Sequence, residues 1–355
     1  MKTYHKKKIL IVTDEYPPII GGAGIVAEQL TSDLIDLNQD VSIFVPSQKQ
    51  SVFFKLFWLL FYFRLIPKVS SFDKIVINDI RSAYFISLLS LLKKIDFNKI
   101  VYIIHGTEYN IAYNPSLKNK LILLPYFYNL FLIKCYKIIS VSLFTKNIFI
   151  EHSNISEKIK NKIFVSYAGV KKNNIGIQGK YIIKRNDNFF KLVSVSRIEE
   201  RKGYYQMLDL FSDLEKKIPN IQWFIYGDGT IKERLIKKVH DMGLSNKIFF
   251  MNTYDRSEIY SKEFYKHNFD LFWLLPNKPE AFGLVYIEAA TIGVPVLGIE
   301  KYGIKESVDN LFFSNSNQLI ELINDIKKNK EIYIKKSIIF SKKFDSKFFA
   351  YSILD

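Results

Sequence analysis

The chain has 355 residues, of which 48% are hydrophobic and 24% charged. This length and composition exclude a disordered chain and favour two globular domains, because one hydrophobic core seldom serves so many residues. The net charge of +16 favours an acidic partner: a phosphate-bearing ligand, nucleic acid or an anionic membrane. The single cysteine, Cys135, excludes an intrachain disulfide, and the first residues show no secretory leader pattern, so we expect a cytoplasmic location.

Short β-branched runs alternate with helix-period segments along most of the chain, beginning with KILIV, a Pro- and Gly-rich loop and an amphipathic helix. This alternation predicts an α/β protein with two Rossmann-like, doubly wound parallel domains, and it restarts after a polar stretch. We expect an N-terminal domain at 1–170, a linker at 171–188 and a C-terminal domain at 189–335. The C-terminal helix 336–355 is a candidate to pack back on the first domain.

Two strongly apolar stretches, 52–66 and 121–133, each fall short of the roughly 20 residues that a helix needs to span a bilayer. Two interpretations stay open for both. They are core helices, or they form an interfacial surface where aromatic rings and the cations Lys55 and Arg64 meet anionic lipid.

Arg197 and Lys202 lie five positions apart in SRIEERKG, where a predicted strand ends and a helix begins. A guanidinium fork and an ammonium close to a helix N-terminus suit a diphosphate. A second tight turn, YGDGT, carries Gly227 and Gly229 after the next strand, where glycines let the backbone come close to a ligand.

The stretch PEAFGLVYIEA places Glu280 in a loop and Glu288 about one turn into the following helix. At a rise of 1.5 Å per residue the two acids lie up to roughly 12 Å apart. This separation is too long for a shared proton, so it disfavours an acid/base pair. Two acceptors for separate hydroxyl groups of one elongated ligand fit better.

In order and spacing, SRIEERKG, YGDGT and PEAFGLVYIEA resemble the motifs of the retaining glycosyltransferases of family 4 (glycosyl transferases group 1), which have the GT-B fold. GGAG and HGTE in the first domain support the resemblance more loosely. The GT-B fold implies two Rossmann-like domains that face each other across a cleft, with ligands at the carboxyl ends of the strands.

The resemblance also implies roles for the motif residues. Arg197 and Lys202 would neutralise the donor's diphosphate, and Glu288 would accept hydrogen bonds from the ribose hydroxyls. Glu280 would be catalytic and hold the hydroxyls of the transferred sugar. The backbone of Phe282, Gly283 and Leu284 would lie near that sugar, and Gly227 and Gly229 near the donor nucleoside.

In the first domain, Gly21 and Gly22 match the family's glycine loop that approaches the phosphates. His105, which follows the strand VYII, matches its histidine beside the donor sugar and would be catalytic together with Glu280. The implied activity is retaining transfer of a sugar from a UDP- or GDP-linked donor to a lipid-linked or surface-polysaccharide glycan, at the cytoplasmic face of a bacterial membrane.

No cofactor is expected, and no metal, because the sequence has no Asp-x-Asp, no CxxC and no histidine pair at ligand spacing. An anionic membrane surface is a possible partner. Two alternatives are kept: a sugar-nucleotide epimerase of the same fold, and a basic nucleic-acid-binding protein. The second is disfavoured because the basic excess is spread over both halves of the chain, and no nucleic-acid partner is expected.

Overall fold

A computed structural model describes residues 4–17, 21–46, 69–153, 155–171, 188–251 and 264–355. The chain divides into two compact units. Unit 1 comprises Met1–Gly169 and Ser346–Asp355, and unit 2 comprises Val170–Asp345. The apolar stretch 52–66 and nearly all of the expected linker 171–188 lie outside the described residues.

Unit 1 contains a parallel sheet of six strands in the order β2-β1-β3-β4-β5-β6. The strands are β1 Lys8–Val12, β2 Asp40–Phe44, β3 Lys74–Ile77, β4 Ile100–Ile104, β5 Lys137–Ser140 and β6 Ile163–Val165. The central strands are continuous apolar runs, such as IVYII in β4, whose five residues are all buried. Such runs are typical of strands that helices cover on both faces.

Seven helices of unit 1 connect or follow these strands in the part of the chain that the structure describes before residue 170. They are α1 Gly22–Asp36, α2 Ile80–Leu89, α3 Glu108–Tyr113, α4 Leu117–Leu121, α5 Leu124–Lys134, α6 Leu143–His152 and α7 Glu157–Lys160. Several begin at a polar side chain that accepts a backbone hydrogen bond: Asp79 accepts from Ser82 at the start of α2, and Ser142 accepts from Thr145 at the start of α6.

Unit 2 contains a parallel sheet of five strands in the order β11-β10-β7-β8-β9. The strands are β7 Phe190–Val195, β8 Ile221–Tyr226, β9 Ile248–Met251, β10 Leu271–Trp273 and β11 Val296–Leu297. The helices are α8 Tyr204–Lys217, α9 Lys232–Asp241, α10 Phe264–His267, α11 Leu284–Thr291, α12 Ile304–Ser307, α13 Ser316–Lys328 and α14 Lys330–Ser341. The sequence-based prediction of two parallel-sheet α/β domains is confirmed.

Each sheet has a point where the strand order reverses. In unit 1 the reversal lies between β1 and β3, which pair with Leu10 opposite Ile75. In unit 2 it lies between β7 and β10, which pair with Leu192 opposite Leu271. Open α/β sheets bind ligands outside the carboxyl ends of the strands at such reversals, so we expect a ligand site in the loops after these strands.

The chain passes back to unit 1 at Ser346. The preceding helix α14 packs against α11 of unit 2, where Ile334 and Ile338 lie next to Gly293. The last helix, α15 Ser346–Leu354, packs against α1 instead. Residues 336–345 thus lie in unit 2, and only the last part of the expected C-terminal helix 336–355 packs on the first sheet's unit.

The apolar stretch 121–133 is partly buried and partly exposed. Leu124, Tyr128, Phe131 and Leu132 of α5 are buried in the unit 1 core. The segment just before them is exposed, with Leu121 76% exposed. Among the described residues, every helix is too short or too polar to cross a membrane.

Candidate active site

The loops that follow β7 and β10 meet at the reversal point of unit 2. There Lys202 Nζ donates a hydrogen bond to Glu280 Oε2 over 2.7 Å. Lys202 ends a short 3-10 turn, Glu200–Lys202, and is only 7% exposed. Two residues that the sequence places 78 positions apart are therefore joined at the edge of the sheet where a ligand is expected.

Close backbone packing holds these two loops together. Gly203 has a φ of +77°, and a Cβ there would lie 1.9 Å from the carbonyl oxygen of Leu275. Asn277 N also donates to Arg201 O over 3.1 Å. Glycine is needed because both the left-handed backbone and the contact with the loop after β10 exclude a side chain.

Two arginines extend the Lys202–Glu280 pair into a chain of alternating charges. Arg201 Nη1 lies 3.6 Å from Glu280 Oε2, and Arg201 Nε donates to Glu199 over 2.9 Å. The other oxygen of Glu199 lies 3.0 Å from Nη1 of Arg197, whose side chain is 58% exposed. The cluster thus combines two guanidinium groups and one ammonium with two carboxylates, and its cations are of the kinds that bind a diphosphate.

Burial and neighbouring charge act in opposite directions on this cluster. Desolvation lowers the pKa of Lys202, although the charge of Glu280 and its hydrogen bond counteract the effect. At Glu199, burial alone would raise the pKa, but the hydrogen bond from Arg201 and the charges of the neighbouring cations together outweigh it, so the pKa is lowered. The lowered pKa keeps the Glu199 carboxylate ionised beside the arginines at neutral pH.

The predicted glycine turn after β8 packs on the loop after β7. A Cβ at Gly227 would lie 1.9 Å from Ser196 O, and one at Gly229 would lie 2.4 Å from Ile198 O. Ile198 N donates to Asp228 O over 2.8 Å. Because these two positions carry no side chain, the YGDGT turn packs closely against the residues that flank Arg197. This packing is a direct reason for glycine at both positions. Their contact with the nucleoside stays a prediction.

The segment after Glu280 leads into α11 as the sequence indicated. Gly283, with a φ of +88°, is the N-cap residue, and Leu284 is the first residue of the helix. Phe282 is buried, and its ring centroid lies 5.4 Å from that of Phe344. Glu288 lies one turn into α11 and is 2% exposed. The packing of Phe282 and the cap at Gly283 fix the position of Glu280 relative to the start of α11.

In unit 1, a hydrogen bond connects His105 to the reversal point between β1 and β3. His105 follows β4, and its Nε2 lies 2.9 Å from Oδ1 of Asn78, which follows β3. Asn78 Nδ2 donates to Oγ1 of Thr13, which follows β1, over 3.0 Å. Three strand ends are thereby connected through side chains. Burial lowers the pKa of His105 to about 4, so its ring is neutral at physiological pH.

Glu108 fixes the backbone that carries His105. Its Oε1 accepts from His105 N and its Oε2 from Gly106 N, both over 2.7 Å. Glu108 is 3% exposed, and desolvation raises the pKa of its carboxyl although these backbone hydrogen bonds favour the charged form. Glu108, the acid of HGTE, thus stabilises the loop on which His105 lies.

The glycine loop of unit 1 has an acidic neighbour. Gly21 is the N-cap residue of α1, and a Cβ there would lie 2.0 Å from Oε2 of Glu15. A Cβ at Gly22 would meet no described atom within 4 Å. Gly22 therefore offers the open backbone that the predicted phosphate contact requires, whereas the Glu15 side chain occupies the space beside Gly21.

Sequence reasoning named Arg197, Lys202, Glu280 and His105 but missed their partners Arg201 and Asn78. Arg201 was visible as a third cation in SRIEERKG, and Asn78 as a polar residue directly after a buried strand. Among the described residues, no group of three or more His, Cys, Asp or Glu side chains could hold a metal ion.

The two parallel α/β domains have the GT-B fold. The crystal structure of Anabaena HepE in complex with UDP and glucose has the same architecture, with a TM-score of 0.70 and 18% sequence identity, and the alignment covers 98% of this chain and 97% of that chain. At this identity the similarity shows the fold.

The family model of glycosyl transferases group 1 matches residues 180–339, the part of the chain that holds the Lys202–Glu280 cluster. An uncharacterized glycosyltransferase of Methanocaldococcus jannaschii is 26% identical over 60% of this chain and 53% of its own length. The O-antigen biosynthesis glycosyltransferase WclY of Escherichia coli is 28% identical over 43% of this chain and 42% of its own length. The chain thus spans about half the length of these curated relatives or less.

Proposed function

We propose that the protein is a retaining glycosyltransferase of family 4 that moves a sugar from a UDP- or GDP-linked donor to a lipid-linked or surface-polysaccharide glycan. Unit 2 binds the donor and unit 1 the acceptor. The observation that carries this proposal is the contact of Lys202 with Glu280, flanked by Arg197 and Arg201, at the reversal point of the unit 2 sheet.

The charges of this cluster suit the bond that must break. As the glycosidic bond of a nucleotide sugar breaks, negative charge grows on the leaving diphosphate, and cations placed beforehand stabilise that change most. Arg197, Arg201 and Lys202 supply these cations. Glu280 binds hydroxyls of the transferred sugar, and Glu288 binds the ribose, in line with the family's motif.

Retention follows from front-face transfer, in which the departing phosphate helps to deprotonate the acceptor hydroxyl. The cationic cluster then does the electrostatic work for which other enzymes use a divalent metal ion. We therefore expect undiminished transfer in the presence of EDTA.

The acceptor proposal is supported by an exposed apolar surface on unit 1 and by the name of the E. coli relative, which acts in O-antigen biosynthesis. This surface, called the α4 surface below, consists of Leu117, Leu121, Ile122, Leu123 and Tyr126. Lys118 and Lys120, both exposed, lie within the same segment. Apolar side chains interspersed with lysines suit the interface of an anionic membrane, and we place the protein at the cytoplasmic face.

A transfer assay with a panel of UDP- and GDP-sugars and lipid-linked glycan acceptors tests the proposal. The product is analysed by NMR, and we expect a glycoside with the same anomeric configuration as the donor. An inverted product would contradict retention. An isomerised sugar from donor alone, without transfer, would favour the epimerase.

A further inference from the structure

The hydrogen bonds around Asn78 determine which nitrogen of His105 carries the proton. Asn78 Nδ2 lies 3.0 Å from Ala23 O, and a backbone carbonyl oxygen can only accept. The group that faces Ala23 must therefore be the NH2 group of the amide, and the carbonyl Oδ1 must point the other way.

A second contact gives the same orientation independently. Thr13 Oγ1 donates its own hydrogen to Glu15 O over 2.9 Å, so toward Asn78 it can only accept. Asn78 Nδ2 is the donor to that hydroxyl over 3.0 Å. Both hydrogens of the amide are thus used, one on the hydroxyl of Thr13 and one on the carbonyl oxygen of Ala23.

The remaining atom of the amide, Oδ1, lies 2.9 Å from His105 Nε2. An amide oxygen has no hydrogen to give, so the hydrogen in this contact is on Nε2. A neutral imidazole carries one hydrogen, which leaves Nδ1 with a free lone pair. The pKa of about 4 keeps the ring neutral at physiological pH, so Nδ1 does not become a donor there.

Nδ1 is also within reach of a ligand. Within the described residues it has no hydrogen-bond partner, and it is not among the buried polar atoms that lack one. The residue is half-buried. A group that approaches Nδ1 must therefore bring a hydrogen, which a sugar hydroxyl has and a carboxylate, phosphate or carbonyl group lacks.

We infer that Asn78 is a positioning residue that holds His105 as the Nε2–H tautomer and thereby leaves Nδ1 as an acceptor for a ligand that carries a hydroxyl group. The inference rests on the proposed function for the identity of the ligand. The tautomer itself depends on the contacts within unit 1 alone.

NMR of the protein labelled with 15N-histidine tests the tautomer. Long-range 1H–15N spectra distinguish protonated from unprotonated ring nitrogens, and His105→Gln assigns the signal. We expect protonated Nε2 and unprotonated Nδ1 in the wild type, and a mixture of tautomers in Asn78→Leu. A predominant Nδ1–H form in the wild type would overturn the inference, and this measurement needs no variant of Asn78.

Discussion

The Lys202 ammonium lies 2.7 Å from the Glu280 carboxylate, and this contact joins the loop after β7 to the loop after β10. The cation predicted to hold the donor diphosphate is therefore paired with the acid predicted to hold the donor sugar. A bound donor would bring phosphate to the cation and hydroxyls to the acid. The contact thus fixes the positions of the two side chains relative to each other.

Removal of either member of this pair should abolish transfer. We expect Lys202→Ala and Glu280→Ala each to lower kcat/KM by roughly 100-fold or more, the loss typical of removing one electrostatic group that acts on the transition state. Circular dichroism should show a folded protein. Lys305→Ala, which removes an exposed lysine paired with Glu300 at 2.8 Å, is the matched control and should keep wild-type turnover. Near-wild-type rates in either site variant would contradict the assignment.

Arg201 should contribute to diphosphate binding as well. Because a hydrogen bond to a charged group contributes about 1.5–3 kcal/mol, we expect Arg201→Ala to weaken UDP or GDP binding roughly tenfold or more in isothermal titration calorimetry. Arg234→Ala is the control, since Arg234 is an exposed arginine whose Nη2 lies 3.9 Å from Glu200. If both variants bind nucleotide like the wild type, Arg201 is only a structural partner of Glu199 and Glu280.

His105 should stay neutral in the folded protein down to a pH of about 4. An unfolded histidine has a pKa near 6.5, so between these two values the unfolded state binds more protons than the folded state. The contribution of His105 to stability is thus fully present above the unfolded pKa and is lost as the pH falls through the folded pKa. Titration of the ring by NMR checks this prediction, and a midpoint near 6.5 would contradict it.

Gly203 should be far less tolerant of a side chain than Gly243. Both have left-handed backbone, with φ of +77° and +70°, but only Gly203 faces a backbone oxygen, Leu275 O, at 1.9 Å from the added Cβ. We expect Gly243→Ala to lower the free energy of unfolding by about 1 kcal/mol, the cost of the backbone conformation alone. Gly203→Ala should lower it clearly more and also weaken donor binding. Equal urea midpoints for the two variants would show that the loops after β7 and β10 separate easily.

The α4 surface should bind anionic membranes. In liposome flotation at low salt, we expect the wild type to float with vesicles that contain phosphatidylglycerol and to float less with phosphatidylcholine alone. Leu117→Ser/Leu121→Ser should reduce flotation roughly tenfold or more, because two exposed leucines lose their transfer into the lipid. Leu91→Ser/Leu92→Ser is the matched control, since these leucines are 62% and 70% exposed outside that segment. Equal flotation of both variants would contradict this location.

Strand positions could be predicted from the sequence because parallel strands are buried on both faces and appear as short apolar runs. Glu280 and Lys202 could be proposed because each lies in a short local motif in which a loop leads into a helix. Their contact with Arg201 could not, because it depends on how two loops pack across the sheet edge. The return of the chain to unit 1 at Ser346 could not be predicted either. The apolar residues Ile334 and Ile338 suit the core of either unit, and only their packing on Gly293 assigns them to unit 2.

Asn78 illustrates a different limit of the sequence. An asparagine after a strand is common in turns, and nothing in the local pattern says that its amide joins Thr13, Ala23 and His105. That function arises only from the strand order, which places the ends of β1, β3 and β4 next to one another.

The most direct test of the central claim is a thermal-shift panel of UDP- and GDP-sugars on the wild type and on Lys202→Ala. A ligand at 100 times its Kd stabilises the native state by about 2.7 kcal/mol, so the preferred donor should raise the Tm of the wild type measurably. Lys202→Ala should show little or no shift with the same donor. No shift of the wild type with any nucleotide sugar, or an equal shift of both proteins, would contradict a donor site built around Lys202 and Glu280.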